Sequence, residues 1–461
     1  MVLGRGQAVP GRRGRALVRG RRGRRHAAGD GPRRRRPHDR GLHRLNPAHR
    51  LLPSRRSRCA TVLWQSRRVP PRQIDAAERR ARLAVRHRLT PAGRTDDVVA
   101  IADDLAGLHS TDPVTVHLSA AARMRHPRLP AVDEALYSER TLLRHHAMRR
   151  TLWVLGAGLA RAAHHASTVT LLARQRTLLR DAVTGAGLGP DPDRWVAAAS
   201  DEILAVLTAD GPLSARELGT RVPHLAVPLT IGSGRQVATQ AAHTRVLLVL
   251  GFEGRVLRAR PTGTWINGQY RWAAASAWAP EFAAPLDAQA AAATLARSWL
   301  RAFGPGTRAD LAWWAGWTVA TTKRALADVG AVEVALDEGP GYVLPDDVDA
   351  VGPAEPFVAL LPGLDPSTMG WKQRAFHLEP THVPLLFDRN GNGGPTVWVD
   401  GRIVGGWVQR ADGTLAVRVL EDVGAERQAE IEKSAHALEA LLGEVRFTPR
   451  FPAPLQTELR P

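Results

Sequence analysis

The order helix, helix, helix, hairpin occurs cleanly between residues 190 and 280, returns between 285 and 350, and appears in a less tidy copy between 72 and 180. Recurrence of one supersecondary order marks tandem units. Beyond residue 354 the apolar period shifts toward two, the spacing of strands. Together these observations predict a mainly α fold with β: three tandem winged-helix units followed, over 354–461, by a small C-terminal β-barrel-like domain.

The first unit opens with the charged helix DAAERRARLAVRHRL, followed by DDVVAIADDLAGLH, where Val98, Ile101, Ala102, Leu105 and His109 keep helical spacing. Asp112 reads as the cap of a third helix starting at Pro113, because proline has no amide hydrogen to lose there. TLWVLG reads as a strand. In the central unit, Trp195, Ile203, Leu204 and Leu207 share a helical face that Gly211-Pro212 ends, and Ser214 with Glu217 forms a reciprocal cap. A third helix is expected from Arg235 to Leu250, then a wing hairpin from GRVLRARP and GTWINGQYRW. In the last unit Thr307 and Asp310 repeat the cap, ADLAWWAG and TVATTKRALADVG supply helices, and VEVALDEGPGYVLP supplies a wing turned by Gly-Pro-Gly. In the terminal domain Asp400-Gly401, set between alternating apolar positions, signals a tight hairpin. FVALLPG, TLAVRVLED and EVRFTPRF add strands, and AERQAEIEKSAHALEALLG adds one amphipathic helix.

The formal charge of +20 is unevenly placed. Residues 1–70 hold 21 Arg and only Asp30 and Asp39 as acids, while the remaining residues are nearly neutral. That segment lacks the apolar content to offset ordering entropy and is expected to be a disordered arginine-rich tail. It reads either as a phosphate-binding arm or as translated sequence upstream of the true start. DNA binding must therefore be argued from the body of the chain. The single cysteine, Cys59, supports no disulfide framework or cysteine-based zinc site and suits a reducing cytosol. No apolar run approaches the length of a membrane span, so a soluble monomer is expected, cytoplasmic and nucleoid-associated.

Five stretches, MRRTLWVL (148–155), GRVLRARPTGTWINGQYRW (254–272), FGPGTRADLAWWAGW (303–317), LLPGLDPSTMGWKQR (360–374) and VDGRIVGGW (399–407), together resemble the AlkZ/YcaQ-type winged-helix DNA glycosylase family. The resemblance spans about 72–452 and implies a C-shaped body whose concave face holds double-stranded DNA. It also implies excision of alkylated bases, N7-alkylpurines among them. The family's Gln-x-Gln or Gln-x-Asp signature falls on GLHSTDP, so that His109 and Thr111 occupy the signature positions as catalytic candidates.

An N7-alkylated purine is already cationic, so its glycosidic bond is weak and positioning with electrostatics carries much of the catalysis. A neutral His109 can orient water or accept its proton, whereas the Thr111 hydroxyl offers neither the charge of a carboxylate nor the reach of an amide. His109 reads equally as the end of a buried helical face, and Thr111 as loop chemistry before a cap. For DNA contact the residue types point to Arg149, Arg150, Arg235, Gln236, Thr239, Gln240, His243, Arg255, Arg258, Arg260 and Arg374. A solvated charged face gives the same residues. Trp313, Trp314 and Trp317 read as packing. His145, His146, His164 and His165 fall on predicted helices with neighbours pointing apart, so neither metal nor cofactor is expected. No P-loop, G-x-S-x-G or H-E-x-x-H motif is found. Two alternatives to the glycosylase stay open: a non-catalytic lesion sensor or regulator on the same scaffold, and a ligand-responsive transcription factor.

Overall fold

A computed structural model describes residues 70–232 and 237–460. The arginine-rich segment up to residue 69 lies outside the described residues, as do Arg235 and Gln236. Caps set the helix starts. Asp75 opens α1 (Ala76–Arg86), Asp97 opens α2 (Val98–Asp104), and Asp112 opens α3 (Pro113–Ala121), each accepting amide hydrogens of the first turn. Ser214 with Glu217 and Thr307 with Asp310 close full capping boxes on the helices Ala215–Arg221 and Arg308–Ala315. Each such cap stabilises its helix by about 1 kcal/mol.

The strands are β1 (Leu108–His109), β2 (Leu142–His146), β3 (Leu152–Gly156), β4 (Pro228–Ile231), β5 (Ala238–Ala241), β6 (Val256–Pro261), β7 (Tyr270–Ala274), β8 (Gly306–Thr307), β9 (Val332–Leu336), β10 (Gly339–Val343), β11 (Val358–Leu361), β12 (Thr396–Val399), β13 (Arg402–Gln409) and β14 (Leu415–Val419). They build a five-stranded sheet ordered β1-β3-β2-β6-β7, a β4-β5 hairpin, and sheets ordered β8-β10-β9 and β11-β12-β13-β14. In the largest sheet β2 meets β6 at Arg144 opposite Arg258, so the hairpin of the 190–280 stretch extends the sheet of the 72–180 stretch. The principal core runs through both ends of the described chain, joining Leu83, Trp153, Trp299, Phe303, Trp398 and Leu455. A second core, around Leu207, Val246 and Trp272, belongs to residues 179–274.

Several local expectations are corrected. The helix expected to run through His109 stops at Asp104, and His109 lies on β1. The helix expected from Arg235 begins at Ala242, while Thr239 and Gln240 lie on β5 paired with β4. Val237 and Thr239 are β-branched and suit that extended segment. The third hairpin turns at Asp337-Glu338 and Gly339-Pro340-Gly341 belongs to β10, where Pro340 faces Ala335 beyond the reach of the short β8. EVRFTPRF forms no strand. The terminal sheet is an open meander, with no closed barrel among the described residues. The helix Gly424–Leu442 covers one face, setting Ile431, Ala435 and Leu442 against Val397, Val404 and Trp407, so its apolar surface is buried without closure. Asp400-Gly401, both at positive φ, makes the expected tight turn between β12 and β13.

Candidate active site and nucleic-acid interface

The corner at 109–112 owes its position to a reversal after α2. Ala106 and Gly107 take positive φ, and a Cβ on Gly107 would collide with the Leu155 side chain, so only glycine lets β1 lie so close against β3. His109 pairs with Trp153, and its ring meets the indole edge-on at 5.0 Å between centroids. The side chain is buried at 3% exposure. Burial, and then the positive charge of Arg149, push its pKa down to about 3, so the ring is neutral at physiological pH. The Thr111 amide donates toward Nδ1 at 3.5 Å. An imidazole accepting at Nδ1 carries its own hydrogen on Nε2, which makes that nitrogen a donor.

Around this ring the polar groups fall into two sets. The hydroxyls of Ser110 and Thr111 are buried without a hydrogen-bond partner. Asp112 is engaged: one carboxylate oxygen caps Val114 and the other accepts the Arg450 amide at 2.8 Å, while burial pushes its pKa up. Arg450 also donates to the Thr111 carbonyl at 2.8 Å, tying the C-terminal segment to the corner. Unpartnered hydroxyls beside satisfied neighbours are the exception in folded proteins and mark places where water or a ligand completes the bonding.

Two further cations near this corner, Arg149 and Arg374, make no ion pair among the described residues, although the charge of the buried Asp310 acts on Arg374. Arg149 and Arg150 occupy consecutive left-handed positions in the turn Met148–Arg150, a conformation that costs a non-glycine residue about 1–2 kcal/mol. The Arg149 guanidinium lies 4.1 Å from the Trp313 ring centre, and Arg374 lies over the same ring at 5.3 Å and over Phe387 at 4.8 Å. Arg374 donates through Nε to the Thr368 carbonyl, and burial, then Arg149, lowers its pKa to about 10. Arg149 Nε and Arg374 Nη2 are buried and unpartnered, and neither side chain makes an ion pair among the described residues. Trp314 packs as expected, between Trp153 and Phe303. Trp317 donates to the Ala166 carbonyl. Trp313 also packs, half-buried, against the principal core, and in addition carries two guanidiniums, a role that its spacing in the sequence did not signal.

The other candidates scatter. Arg150 and Thr239 are exposed, and Gln240 lines a recess with Arg258. His243 is buried with Nδ1 on the Leu225 carbonyl, which makes it part of the packing rather than of an exposed recognition face. Arg255 pairs with Asp201 at 3.2 Å and Arg260 with Asp133 at 3.2 Å, so both carry neutralising partners. Arg258 lies over Trp272 at 3.4 Å. His145 and His146 sit on strand β2 rather than on a helix, and His145 Nε2 meets His164 Nδ1 at 3.1 Å. Among the described residues no group of three or more such ligands could hold a metal.

Residues 102–441 of this mixed α/β chain match the family model described as DNA glycosylase AlkZ-like. The chain belongs to that AlkZ-like family. Among solved structures it is similar to Streptomyces sahachiroi DNA glycosylase AlkZ, with a TM-score of 0.61 over 82% of this chain and 98% of that one. At 21% identity the likeness is one of fold. No curated protein matches the sequence.

Proposed function

We propose that this chain is a DNA glycosylase that grips duplex DNA with three tandem winged-helix units and hydrolyses the N-glycosidic bond of alkylated purines, N7-alkylpurines in particular. The observation that supports it best is the polar corner, where the Ser110 and Thr111 hydroxyls lack partners while Arg149 and Arg374 stand unpaired nearby. In the reaction the bond from C1′ to N9 breaks with its electron pair leaving on the base, which neutralises the N7 cation. A water oxygen bonds to C1′ and releases its proton to solvent. Thr111 accepts a hydrogen bond from that water, and the neutral His109 orients it through the hydrogen on Nε2, a division that replaces proton abstraction with positioning. Arg149 and Arg374 hold the flanking phosphates. Incubating the full chain with duplex DNA containing N7-methylguanine tests the reading: abasic sites should exceed spontaneous loss, and Thr111→Val with His109→Ala should lower the rate roughly 10- to 100-fold.

A non-catalytic DNA binder is the second reading. The burial of His109 at 3% exposure favours it, together with His and Thr at the positions where the family signature has Gln and Gln or Asp. Tight duplex binding without abasic sites above background would select it.

A further inference from the structure

A second cationic site lies away from the corner, in the middle of the largest sheet. Arg144 on β2 faces Arg258 on β6 as a direct cross-strand pair. Residues so paired share a face, and like charges there repel. Neither arginine makes an ion pair among the described residues. Arg144 is 2% exposed; it donates one hydrogen bond to the Tyr137 hydroxyl at 2.7 Å and stacks on Tyr270 at 4.4 Å, leaving Nε and Nη2 buried and unpartnered. Arg258 stacks on Trp272 with its Nε unpartnered, and the Tyr270 hydroxyl is buried without a partner as well. The nearby carboxylates are engaged elsewhere: Glu217 with Arg271 and its own helix cap, Asp133 with His117 and Arg260.

Arg258 and Tyr270 open onto a recess of about 690 Å³, walled by Gln240, Thr244, Gln269 and Glu217. Burial lowers the Arg258 pKa to about 9, so the group remains charged at neutral pH while its charge goes uncompensated by the protein. The Arg258 guanidinium, the orphan phenol and amide and hydroxyl donors line this recess, with Arg144 behind Arg258 outside the lining and the Glu217 carboxylate held by Arg271. The set suits a tetrahedral oxyanion, because guanidinium forks bind phosphate oxygens with short charge-assisted bonds.

We infer that the recess between β6, β7 and the helix Ala242–Phe252 is a phosphate-binding pocket, with Arg258 as its direct ligand, Arg144 as the charge behind it, and a DNA backbone phosphate as its occupant. The choice of DNA rests on the proposed function; the phosphate chemistry does not. The experiment therefore has two arms, run on the full chain and on Arg258→Met, Arg258→Lys and Thr244→Glu. In one arm, lesion-free duplex DNA is titrated across a range of salt. Arg258→Met should weaken binding roughly tenfold and reduce the slope of log K against log salt by about one contact, with Lys restoring the slope. Thr244→Glu, which leaves the arginine stacks intact, should give the same loss by repulsion and serves if Arg258→Met does not fold. In the other arm, equilibrium dialysis measures bound inorganic phosphate. Phosphate retained by wild type and lost in the variants, without DNA binding, supports the pocket and sinks the DNA reading. Folded Arg258→Met and Thr244→Glu proteins with unchanged salt slope and unchanged phosphate retention overturn the pocket.

Discussion

Replacing Arg123 by methionine should destabilise the protein by about 3–5 kcal/mol at neutral pH, the range for stranding one partner of a buried ion pair. The pair is Arg123 with Asp365, both fully buried and bonded in parallel at 2.8 and 2.9 Å. Ser119 Oγ and the Ser367 amide also donate to Asp365, and Arg123 donates to the His87 and Ser119 carbonyls. Burial alone would raise the Asp365 pKa, but the Arg123 charge and these hydrogen bonds outweigh it and hold the carboxyl below its ordinary value. A depressed carboxylate pKa contributes stability that is present above the unfolded pKa, near 3.9, and is lost as pH falls through the folded pKa. In Arg123→Met the balance inverts: burial acts against two remaining donors, the Asp365 pKa rises, and protonation relieves the stranded charge. The deficit against wild type should then shrink on acidification by up to about 1.4 kcal/mol per pH unit. Urea unfolding followed by circular dichroism between about pH 4 and 8 reads both quantities. A loss under about 1 kcal/mol, or a deficit flat across that range, would refute the reasoning. Adding Asp365→Leu should recover most of the stability. The pair matters beyond stability because it locks α3, whose N-cap Asp112 ends the 109–112 corner, onto the 363–367 segment, where Thr115 also bonds the Gly363 carbonyl at 2.6 Å.

Three further outcomes are expected. Base excision should be flat with pH between about 6 and 8, because His109 is already neutral there; an inflection near the ordinary histidine value of about 6.5 would show a titrating ring instead. Arg149→Ala and Arg374→Ala should each lower the salt slope of duplex binding by about one while leaving sequence preference unchanged, as salt titrations of matched duplexes would reveal. Gly107→Ala, which meets both a positive φ of 105° and the Leu155 side chain, should lower the unfolding free energy by about 2 kcal/mol or more. Near-wild-type melting of that variant would contradict the packing of β1 against β3.

Parts of this fold are set within a few residues and could be read from the chain directly. The Ser214–Glu217 and Thr307–Asp310 caps, Pro113 behind Asp112, and the Asp400-Gly401 turn each form where the sequence places them. Such signals span three or four residues, so their energies do not depend on distant partners. The corner was legible as a position but not as an environment. Helical spacing carried His109 onto α2, whereas Gly107 ends that path and hands the residue to a two-residue strand whose partner, Trp153, is far along the chain.

By itself, the sequence determined the Ser214 and Thr307 caps, the Asp112-Pro113 helix start, the Asp400-Gly401 turn, and a resemblance that the family match over residues 102–441 bears out. Only the tertiary structure decided which polar groups stand alone. Arg255 and Arg260 form ion pairs while Arg144, Arg149, Arg258 and Arg374 form none among the described residues, and Trp313, besides packing against the core, became a platform for two cations. The physical reason is that a charge's partners, and the water it loses, depend on non-local strand pairing and packing; a sequence names the charge but leaves its neighbours unassigned.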